Sequence, residues 1–377
     1  MMNRFEIVVT TMFGLEALVA KEIRNLGYET TEVIDGRVTF IGDFEAVARV
    51  NLWLRCGERV FIKVGEFMAE TFDELFEKTK NLDWSQWLFK DSEFPVNGFS
   101  VKSKLFSVRD CQAIIKKGIV ESLSRSYKIN WFSESGSLYR IEFSIIKDKV
   151  SLMIDTSGDS LHKRGYRRRS NMAPLKETIA AAIVNMSRFS YNGVFCDPFC
   201  GSGTIPIEAA MIAKNIAPGL NRHFAFESFK QMAPTYLKDA KEEAKDEIRK
   251  TNLKVIASDI DYDCVDLTIN NAKLARVNDV IFVKRMPVAE FKSSDVGGTI
   301  VCNPPYGERL LDLKESEKII KDLGRVYKAL NGWNLFVITP NEKFESLIGK
   351  KATKKRKLYN GMIKCDLYQY FAKTDRF

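Results

Sequence analysis

The residues with the clearest chemical potential are Asn303-Pro304-Pro305-Tyr306, which follow the apolar run 299–302. An apolar run of this length predicts a buried strand, so we expect the tetrapeptide in the loop where that strand ends. Proline has no backbone N–H and a fixed φ, so two prolines make a stiff loop whose carbonyls are free to accept. An amide oxygen, a bare carbonyl and an aromatic ring can together receive a flat ring that carries an exocyclic amino group.

Such an amine is a poor nucleophile because its lone pair is delocalised into the ring. The Asn303 side-chain oxygen and the Pro304 carbonyl can each accept one N–H, which localises the lone pair toward an electrophile. We expect Tyr306 to stack on the ring and hold it in line. Orientation and electrostatics then supply most of the effect, and no strong general base is needed. We therefore predict catalytic roles for Asn303, Pro304, Pro305 and Tyr306, acting on a base that is flipped out of any duplex.

A glycine turn lies upstream, at 197–204, after another apolar run. Gly201 and Gly203 allow a tight turn that brings backbone N–H groups to a ligand at a helix N-terminus. A dinucleotide fingerprint would need a third glycine where Pro206 stands, and the Gly-Lys-Ser/Thr of a phosphate-binding loop is absent. S-adenosylmethionine suits this turn, because its carboxylate can take the helix-end amides while Asp197 receives its ammonium group.

The sequence Ser258-Asp259-Ile260-Asp261 follows the next predicted strand. A carboxylate at that strand end can accept both hydroxyls of a ribose, which we predict for Asp259. The competing interpretation is that Asp259 or Asp261 caps a helix. After the following strand, 284–288 contains no acid that could bind an adenine amine. Backbone groups near Val288 would have to hold the adenine ring.

These sites require a sheet that brings several strand ends together. Short apolar runs that alternate with helical stretches indicate a parallel sheet covered on both faces. An antiparallel hairpin with an Asn360-Gly361 turn is predicted to end the chain. This α/β order is that of Rossmann-like class I methyltransferases rather than of dinucleotide dehydrogenases. The five predicted parallel strands are 193–196, 254–257, 280–283, 299–302 and 333–338.

The first half of the chain reads as two smaller domains. Residues 1–65 have a β-α-β-α-β order that fits a ferredoxin-like α+β fold. Residues 66–156 repeat the alternation, with a strand at 99–104 that would place Lys102 and Lys104 on one face. Residues 157–172 form a basic linker without apolar period, and a methyltransferase domain follows at 173–377, its first helix beginning near Pro174.

Charge favours a polyanionic partner, since the formal net charge is +9 and the pI is about 9.0. One basic cluster falls in the linker and a second at 350–357. A solvated surface is the alternative for each cluster, but basic clusters that flank a base-modifying domain favour contacts with RNA phosphates. The predicted RNA contacts are Lys102, Lys104, Lys163, Arg164, Arg167, Arg168 and Arg169.

Composition excludes several other classes. The chain is 45% hydrophobic and 28% charged, which is typical of a globular protein. No apolar run approaches the ~20 residues that cross a bilayer, and the start lacks a signal peptide, so we expect a cytoplasmic location. The seven cysteines are scattered and there are two histidines, so we expect reduced buried thiols and no metal site. The oligomeric state is not apparent.

Taken together, these motifs resemble the THUMP-domain class I RNA methyltransferases, which make N2-methylguanosine in ribosomal or transfer RNA. The resemblance spans the whole chain and rests on 197–210, 215–219, 303–310 and the box 165–167 with 173–178. It implies a ferredoxin-like and a THUMP domain before a Rossmann-like catalytic domain, with S-adenosyl-L-methionine as cofactor and RNA as partner. By resemblance, the box walls the cofactor pocket. The expected cofactor-binding residues are Asp197, Cys200, Gly201, Ser202, Gly203, Thr204, Asp259, Ile260, Glu177 and Thr178.

The expected reaction is methylation of a guanine N2 amine in 23S rRNA. Methylation of guanine in tRNA is the nearest alternative. The Asn-Pro-Pro-Tyr motif also serves adenine-N6 methyltransferases, although an N-terminal RNA-binding module argues against DNA. A non-catalytic assembly factor with a vestigial cofactor site is disfavoured, because Gly201, Gly203, Asp259 and Asn303 are all intact.

Overall fold

The structure is a computed structural model that describes residues 4–167, 175–306 and 310–372. The described residues fall into two compact units, each built on a seven-stranded sheet. The first unit comprises the chain up to residue 11, 19–161 and 223–242, and the second comprises 12–18, 162–222 and 243 onward. Neither unit is one continuous stretch of sequence.

The sheet of the first unit has the strand order β2-β3-β1-β4-β7-β6-β5. The β-α-β-β-α-β order of its first part confirms the ferredoxin-like fold. The elements are β1 (Phe5–Thr11), α1 (Glu16–Asn25), β2 (Thr30–Ile34), β3 (Arg37–Gly42), α2 (Phe44–Trp53), β4 (Gly57–Met68), α3 (Phe72–Lys80), β5 (Val96–Val101), α4 (Val108–Tyr127), β6 (Ile141–Ile146) and β7 (Lys149–Asp155).

Strand β4 makes the first sheet continuous. It runs past the predicted domain boundary at residue 65 and pairs antiparallel with β7, from Phe61 opposite Asp155 to Met68 opposite Lys149. The two predicted N-terminal domains therefore share one sheet, and their boundaries stay predictions. Strand β2 was not predicted. It lies at the edge of the sheet and four of its five residues are exposed, so its sequence need not show the apolar alternation of a buried strand.

The predicted strand 99–104 is wrong at its C-terminal end. Strand β5 stops at Val101, and Lys102 has a left-handed backbone with φ of 51°. The Lys104 backbone N–H donates to Asp148 Oδ1 at 2.7 Å, and the Asp148 N–H donates to Ser103 Oγ at 3.0 Å. These bonds hold a turn, so Lys102 and Lys104 lie on a loop rather than on one strand face.

Residues 223–242 follow the start of the catalytic sequence but pack within the first unit. Phe229 stacks on Tyr139 with ring centroids 4.3 Å apart, and Lys230 Nζ pairs with Asp91 at 2.6 Å. The Tyr139 hydroxyl donates to Gln231 Oε1 at 2.9 Å and accepts the Lys230 backbone N–H. The domain boundaries predicted from the sequence did not assign this segment to the first unit.

The sheet of the second unit has the order β10-β9-β8-β11-β12-β14-β13. Its first five strands are parallel and β14 runs antiparallel between β12 and β13. This confirms the Rossmann-like class I fold. The elements are α5 (Glu177–Ser187), β8 (Val194–Asp197), α6 (Thr204–Ala213), β9 (Lys254–Asp259), α8 (Tyr262–Leu274), β10 (Ile281–Arg285), β11 (Gly298–Cys302), α9 (Leu310–Ala329), β12 (Trp333–Thr339), α10 (Phe344–Ile348), β13 (Lys354–Asn360) and β14 (Ile363–Tyr370). Helix α7 (Pro234–Asp246) lies mostly within 223–242 and so belongs mainly to the first unit.

These strands could be predicted from the sequence because they are buried and therefore form continuous apolar runs. Leu335 to Ile338, four consecutive residues of β12, are each 0% exposed, so both faces of this strand are covered. Parallel strands place their carboxyl ends at one edge of the sheet. The glycine turn follows β8, Asp259 is the last residue of β9 and Asn303 follows β11, so the fold brings all three to that edge. Among the described residues, no helix is long and apolar enough to cross a membrane.

Candidate active site

A cavity of about 550 Å³ opens at the carboxyl edge of the second sheet. Gly201, Asp259 and Ile260 line it together with Asn303 and Pro305. The glycine turn and the Asn-Pro-Pro loop, which are far apart in sequence, therefore share one space. The remaining lining residues are Pro198, Phe199, Asp261, Cys264, Met286, Pro287, Val288, Ala289, Glu315, Lys318, Ile319 and Asp322.

The glycine turn needs its two glycines for different reasons. Gly201 has φ of +51°, and a Cβ built on it meets nothing within 4 Å, so its outer side faces open space. Gly203 has φ of +83°, and a Cβ there would lie 3.0 Å from Thr268 Cγ2. A ligand can thus approach the backbone at Gly201, while Gly203 lets the turn pack tightly against α8.

Helix α8 fixes the turn through two polar side chains that sequence analysis did not single out. Thr268 Oγ1 donates to the Gly201 carbonyl at 2.9 Å, and Asn271 Nδ2 donates to the Ser202 carbonyl at 2.8 Å. With these carbonyls satisfied, the backbone geometry of the turn is preorganised. Thr268 and Asn271 are three residues apart and so share a helix face, which is the one sequence signal that could have identified them.

Asp259 and Asp261 have separate tasks. The Asp261 side chain accepts the Asp263 N–H at 2.9 Å and is the N-cap of α8. Asp259 instead accepts the Gly201 N–H at 2.9 Å and the Asp261 N–H at 3.1 Å. A carboxylate has further lone pairs, so Asp259 can still accept from a ligand in the cavity. The helix-cap interpretation therefore applies to Asp261, and Asp259 joins the glycine turn to the second strand end.

Asp197 lies behind the cavity wall and is 1% exposed. Its carboxylate accepts the Phe199 N–H at 3.0 Å. Burial raises the pKa of Asp197 well above its ordinary value, and the nearby Asp259 carboxylate adds to that rise. A bound ammonium group would offset both effects, so the predicted ammonium contact remains a prediction with an electrostatic basis.

Five other predicted cofactor residues are buried around the turn rather than along the cavity. Cys200, Ser202 and Thr204 are each 5% exposed, and Glu177 and Thr178 lie at the start of α5 at 2% and 0%. Thr268 Oγ1 donates to Cys200 Sγ at 3.4 Å, and burial raises the pKa of this thiol well above its ordinary value. These residues shape the turn from inside, and their contacts with a cofactor remain predictions.

Asn303 presents the most informative atom of the site. Its Oδ1 is buried and, within the part of the chain that the structure describes, accepts no hydrogen bond. An unsatisfied buried acceptor costs about 1–3 kcal/mol, so such an atom indicates a missing partner. Asn303 also lines the cavity. The atom predicted to accept an amine N–H is thus available where a substrate would arrive.

The neighbouring prolines are held from α9. Ser316 Oγ, in a side chain that is 4% exposed, donates to the Pro305 carbonyl at 2.7 Å. This contact fixes the Pro305–Tyr306 peptide, which adjoins the Pro304 carbonyl, the second predicted acceptor. Sequence analysis missed α9 as a cavity wall. Its lining residues Glu315, Lys318, Ile319 and Asp322 have helical spacing, so they share one face.

Tyr306 is anchored mainly by the C-terminal hairpin, and its side chain also hydrogen-bonds Asn303. Its hydroxyl lies 3.7 Å from Cys365 Sγ and accepts from Asn360 Nδ2 at 3.4 Å. Both partners belong to the C-terminal hairpin. Burial raises the pKa of Tyr306 above its ordinary value, so the phenol is neutral at physiological pH. The stacking of its ring on a base remains a prediction.

Two basic residues of the predicted linker, Arg164 and Arg167, pair with internal acids, which argues against two of the predicted RNA contacts. The Arg164 side chain is 1% exposed, with its Nε 3.5 Å from Glu208 Oε1, and Tyr166 donates to the same oxygen at 3.1 Å. Arg167 donates to Glu177 Oε2 at 2.9 Å and to Thr204 Oγ1 at 3.1 Å. The Arg164 guanidinium is buried and the Arg167 side chain is 11% exposed, so both groups pair with internal acids and leave little surface for RNA phosphates.

The other predicted RNA contacts stay predictions. Lys102, Lys104 and Lys163 are exposed, and Lys104 forms an exposed ion pair with Glu70. Arg168 and Arg169 lie outside the described residues, as do Pro174 and 307–309. Among the described residues, no group of three His, Cys, Asp or Glu side chains could hold a metal ion.

Replacing Arg167 with alanine should lower stability without changing RNA binding. The change leaves the Glu177 carboxylate, whose side chain is 2% exposed, without its guanidinium partner, which should cost about 3 kcal/mol in free energy of unfolding. Urea unfolding measures the loss of stability. Titration with RNA at several salt concentrations measures RNA affinity and its salt dependence. The exposed Lys163→Ala variant is the matched control. A lower salt slope for Arg167→Ala at unchanged stability would contradict the internal role.

Comparison with known proteins agrees with this geometry. Residues 164–369, more than half of the chain, match the family model described as the RMKL-like methyltransferase domain. The chain belongs to the RMKL-like methyltransferases. Residues 6–61 of this RMKL-like protein match the RlmL ferredoxin-like domain, and residues 69–155 match the THUMP domain. The family expected from the sequence, the THUMP-domain class I RNA methyltransferases that use S-adenosylmethionine, is therefore confirmed.

Two curated relatives frame the family. The chain is 47% identical to "Putative RNA methyltransferase YpsC" of Bacillus subtilis (strain 168), over 99% of this chain and 97% of that protein. It is 32% identical to "Ribosomal RNA large subunit methyltransferase K/L" of Syntrophotalea carbinolica, over 97% of this chain and 53% of that protein. The chain thus spans about half the length of the K/L relatives that it matches.

Solved structures show the same fold. A Listeria monocytogenes protein described as "a predicted N6-adenine-specific DNA methylase" has a TM-score of 0.93 at 48% identity, covering 98% of this chain and 97% of that one. The protein SMU.472, "a putative methyltransferase complexed with SAH", has a TM-score of 0.94 at 42% identity and full coverage of both chains. The RMKL-like protein is an S-adenosylmethionine-dependent methyltransferase.

Proposed function

We propose that this protein methylates the exocyclic N2 amine of a guanine in RNA, within 23S ribosomal RNA. The observation that carries the proposal is Asn303 Oδ1, a buried acceptor at the wall of the cavity that Gly201 and Asp259 also line. An acceptor there suits a donor such as an aromatic amine. The THUMP domain match supports RNA as the substrate, and the K/L relatives named as rRNA large-subunit enzymes support ribosomal RNA.

The residues present fit S-adenosylmethionine. A volume of about 550 Å³ lies in the range of small-molecule sites, and the open side of Gly201 leaves room beside the backbone. Asp259, which lines the cavity, would accept the ribose hydroxyls. Ile260, Met286 and Val288 line the cavity and would supply apolar surface for the adenine ring. The segment 284–288 contains no acidic residue that could bind the adenine amino group. The amino-acid end would lie toward the glycine turn and Asp197.

When bound, S-adenosylmethionine supplies an electrophilic methyl group on a sulfonium. Asn303 Oδ1 and the Pro304 carbonyl accept the two amine protons and direct the nitrogen lone pair away from the ring plane. Ser316 keeps the Pro-Pro loop rigid through the Pro305 carbonyl. The nitrogen becomes cationic and strongly acidic once it carries the methyl group, so one of its protons passes to solvent water. Asn303 only accepts a hydrogen bond from the amine, and the step needs no strong base. Preorganised acceptors of this kind lower the barrier because they do not reorganise during the reaction.

Two other substrates share the same chemistry. The adenine N6 amine presents two N–H groups to the same acceptors, and the Listeria protein carries that description. A TrmN from Thermus thermophilus has a TM-score of 0.68 at 18% identity, which supports the fold and not a tRNA substrate. The K/L relatives, at 30–32% identity over nearly the whole chain, therefore favour rRNA over tRNA.

The test compares nucleosides of 23S rRNA and tRNA from cells with and without this protein, by mass spectrometry. We expect N2-methylguanosine to fall in the 23S fraction of the deficient cells and to return with the intact gene but not with Asn303→Ala. Loss of N6-methyladenosine instead would show that the substrate base is adenine. Loss of a methylated nucleoside from tRNA alone would show that the substrate is tRNA. Primer extension across the affected region then maps the nucleotide.

A further inference from the structure

The C-terminal hairpin forms an arm that projects beyond the second sheet. Strand β14 pairs with β12 from Tyr370 to Asp366, where Asp366 lies opposite Thr339, the last residue of β12. Pairing between β13 and β14 continues from there to Asn360 opposite Ile363. The four residues beyond Asp366, from Cys365 to Met362, therefore extend about 14 Å past the end of β12. Because β12 is parallel to β11, this is the edge where Asn303 lies.

The arm has one face toward the catalytic loop. Residues opposite each other in an antiparallel pair share a face, so Asn360, Ile363, Leu358 and Cys365 lie on the same side. Leu358 and Cys365 are each 1% exposed, and Asn360 and Cys365 contact the Tyr306 hydroxyl. These contacts place the tip at a fixed position beside the Asn-Pro-Pro-Tyr loop.

The tip itself carries an apolar side chain in full contact with solvent. The two turn residues are Gly361 and Met362, which differs from the predicted Asn360-Gly361 turn because Asn360 pairs with Ile363. Gly361 has φ of +63°, as hairpin turns of two residues require. Met362 is 100% exposed, and Tyr359 and Ile363 beside it are each 40% exposed. Turn tips favour polar residues, so this composition needs a reason.

Cations flank the same tip. Lys357 and Lys364 are exposed along the arm, and Tyr359 lies opposite Lys364 on the face away from Tyr306. An apolar point between basic strands complements the stacked bases and charged backbone of RNA rather than an apolar protein surface. Met362 is unbranched and polarisable, and such side chains are among those that proteins insert between bases.

We propose that Met362, at the tip of this arm, is a wedge that enters the RNA stack and occupies the space left by the base that turns toward Asn303. The inference rests on RNA methylation as the proposed function and adds the means by which a paired base reaches the cavity. Extrusion breaks stacking and pairing, and a wedge offsets part of that cost by restoring apolar contact with the neighbouring bases. The anchored Tyr306 ties the wedge to the acceptors.

The test uses the full-length protein and the RNA segment around the nucleotide mapped above. The segment is prepared as a stem with the target base paired and as the same strand without its complement. We expect Met362→Ser to lower kcat/KM at least tenfold on the stem and less than twofold on the single strand. A mismatch opposite the target base should restore most of the loss, because it lowers the cost of extrusion.

Two further variants make the result specific. Met362→Leu keeps an apolar wedge and should stay within threefold of the wild type on both substrates. Val296→Ser removes a side chain that is 79% exposed near the amino end of β11, at the opposite edge of the sheet, and should change neither rate. Thermal unfolding confirms that each variant is folded.

Several outcomes would overturn the wedge. These are an equal loss on stem and single strand, no loss on the stem, or wild-type activity confined to the single strand. A change in oligomeric state of Met362→Ser by light scattering would mark the tip as a contact between copies instead. If the mapped base is an adenine or lies in tRNA, the proposed function fails while the same comparison, made on that RNA, still decides the wedge.

Discussion

Asn303→Ala should lower kcat by about 10²–10³-fold while the protein still binds S-adenosylmethionine. The expected loss is that of removing one preorganised group that stabilises charge in the transition state. Oδ1 is buried and unpartnered among the described residues, so its removal breaks no internal hydrogen bond of the acceptor. The Asn303 side chain also hydrogen-bonds the Tyr306 side chain. Loss of that bond opposes the gain from removing an unsatisfied oxygen, so the free energy of unfolding should stay within about 1 kcal/mol of the wild type.

Single-turnover methylation of the mapped RNA segment measures this loss, and calorimetric titration with S-adenosylhomocysteine measures the binding. Asn341→Ala is the matched control, because Asn341 follows the neighbouring strand β12 and its Oδ1 accepts the Lys343 N–H of its own loop. That variant should keep its rate. Full turnover by Asn303→Ala would exclude Asn303 as the amine acceptor.

The location of the site could be predicted because the sequence indicates where the buried strands end. Apolar runs locate the strands, and parallel strands bring the residues that follow them to one edge. Gly201, Asp259 and Asn303 each follow such a run, so a common cavity was expected and is present. The type of residue then indicated the chemistry at each strand end. Periodicity and residue type therefore sufficed for this part.

The pairing of charges could not be predicted in the same way. Arg164 and Arg167 belong to a basic run that resembles a solvated face, yet their partners Glu208 and Glu177 stand 44 and 10 residues away. Sequence shows which groups are charged but not which of them meet after folding. The internal role of Arg167 emerges once α5 and α6 are placed, because its guanidinium joins the first turns of both helices.

Irregular connections escaped prediction for a related reason. Lys102 and Lys104 fit a strand pattern, but Asp148, 44 residues from Lys104, fixes a turn there. Nothing in the sequence of 223–242 indicates that this segment packs within the first unit. The contacts of Phe229 and Gln231 with Tyr139 are seen only in the structure. Tertiary contacts override local pattern most often where the pattern is short.

The arm tip illustrates how a small shift in register alters an interpretation. The Asn-Gly pair is a strong turn signal, and a hairpin is present where it was expected. The turn is displaced by one residue, which moves Asn360 into the strand and Met362 to the tip. That shift turns Asn360 toward Tyr306 and exposes Met362, so the functional inference depended on the structure.

Asp259→Ala should weaken binding of S-adenosylmethionine about a hundredfold. The carboxylate would accept two ribose hydroxyls, and hydrogen bonds to a charged group contribute about 1.5–3 kcal/mol each. Part of that is returned when water solvates the hydroxyls, which leaves a loss of about 3 kcal/mol, or roughly a hundredfold in Kd. Asp259 also holds the Gly201 N–H at 2.9 Å, so the glycine turn loses a contact that shapes the cavity.

Asp261→Ala is the informative comparison, because the two carboxylates are two residues apart and both line the cavity. Asp261 caps α8 by accepting the Asp263 N–H, so its loss should cost about 1 kcal/mol in free energy of unfolding and change Kd less than threefold. Calorimetric titration with S-adenosylhomocysteine and urea unfolding on both variants separate the two roles. The assignment requires opposite patterns: Asp259 must dominate the affinity and Asp261 the stability. If both variants lose affinity equally, the ribose contact belongs to the loop as a whole, and Asp259 has no special place in cofactor binding.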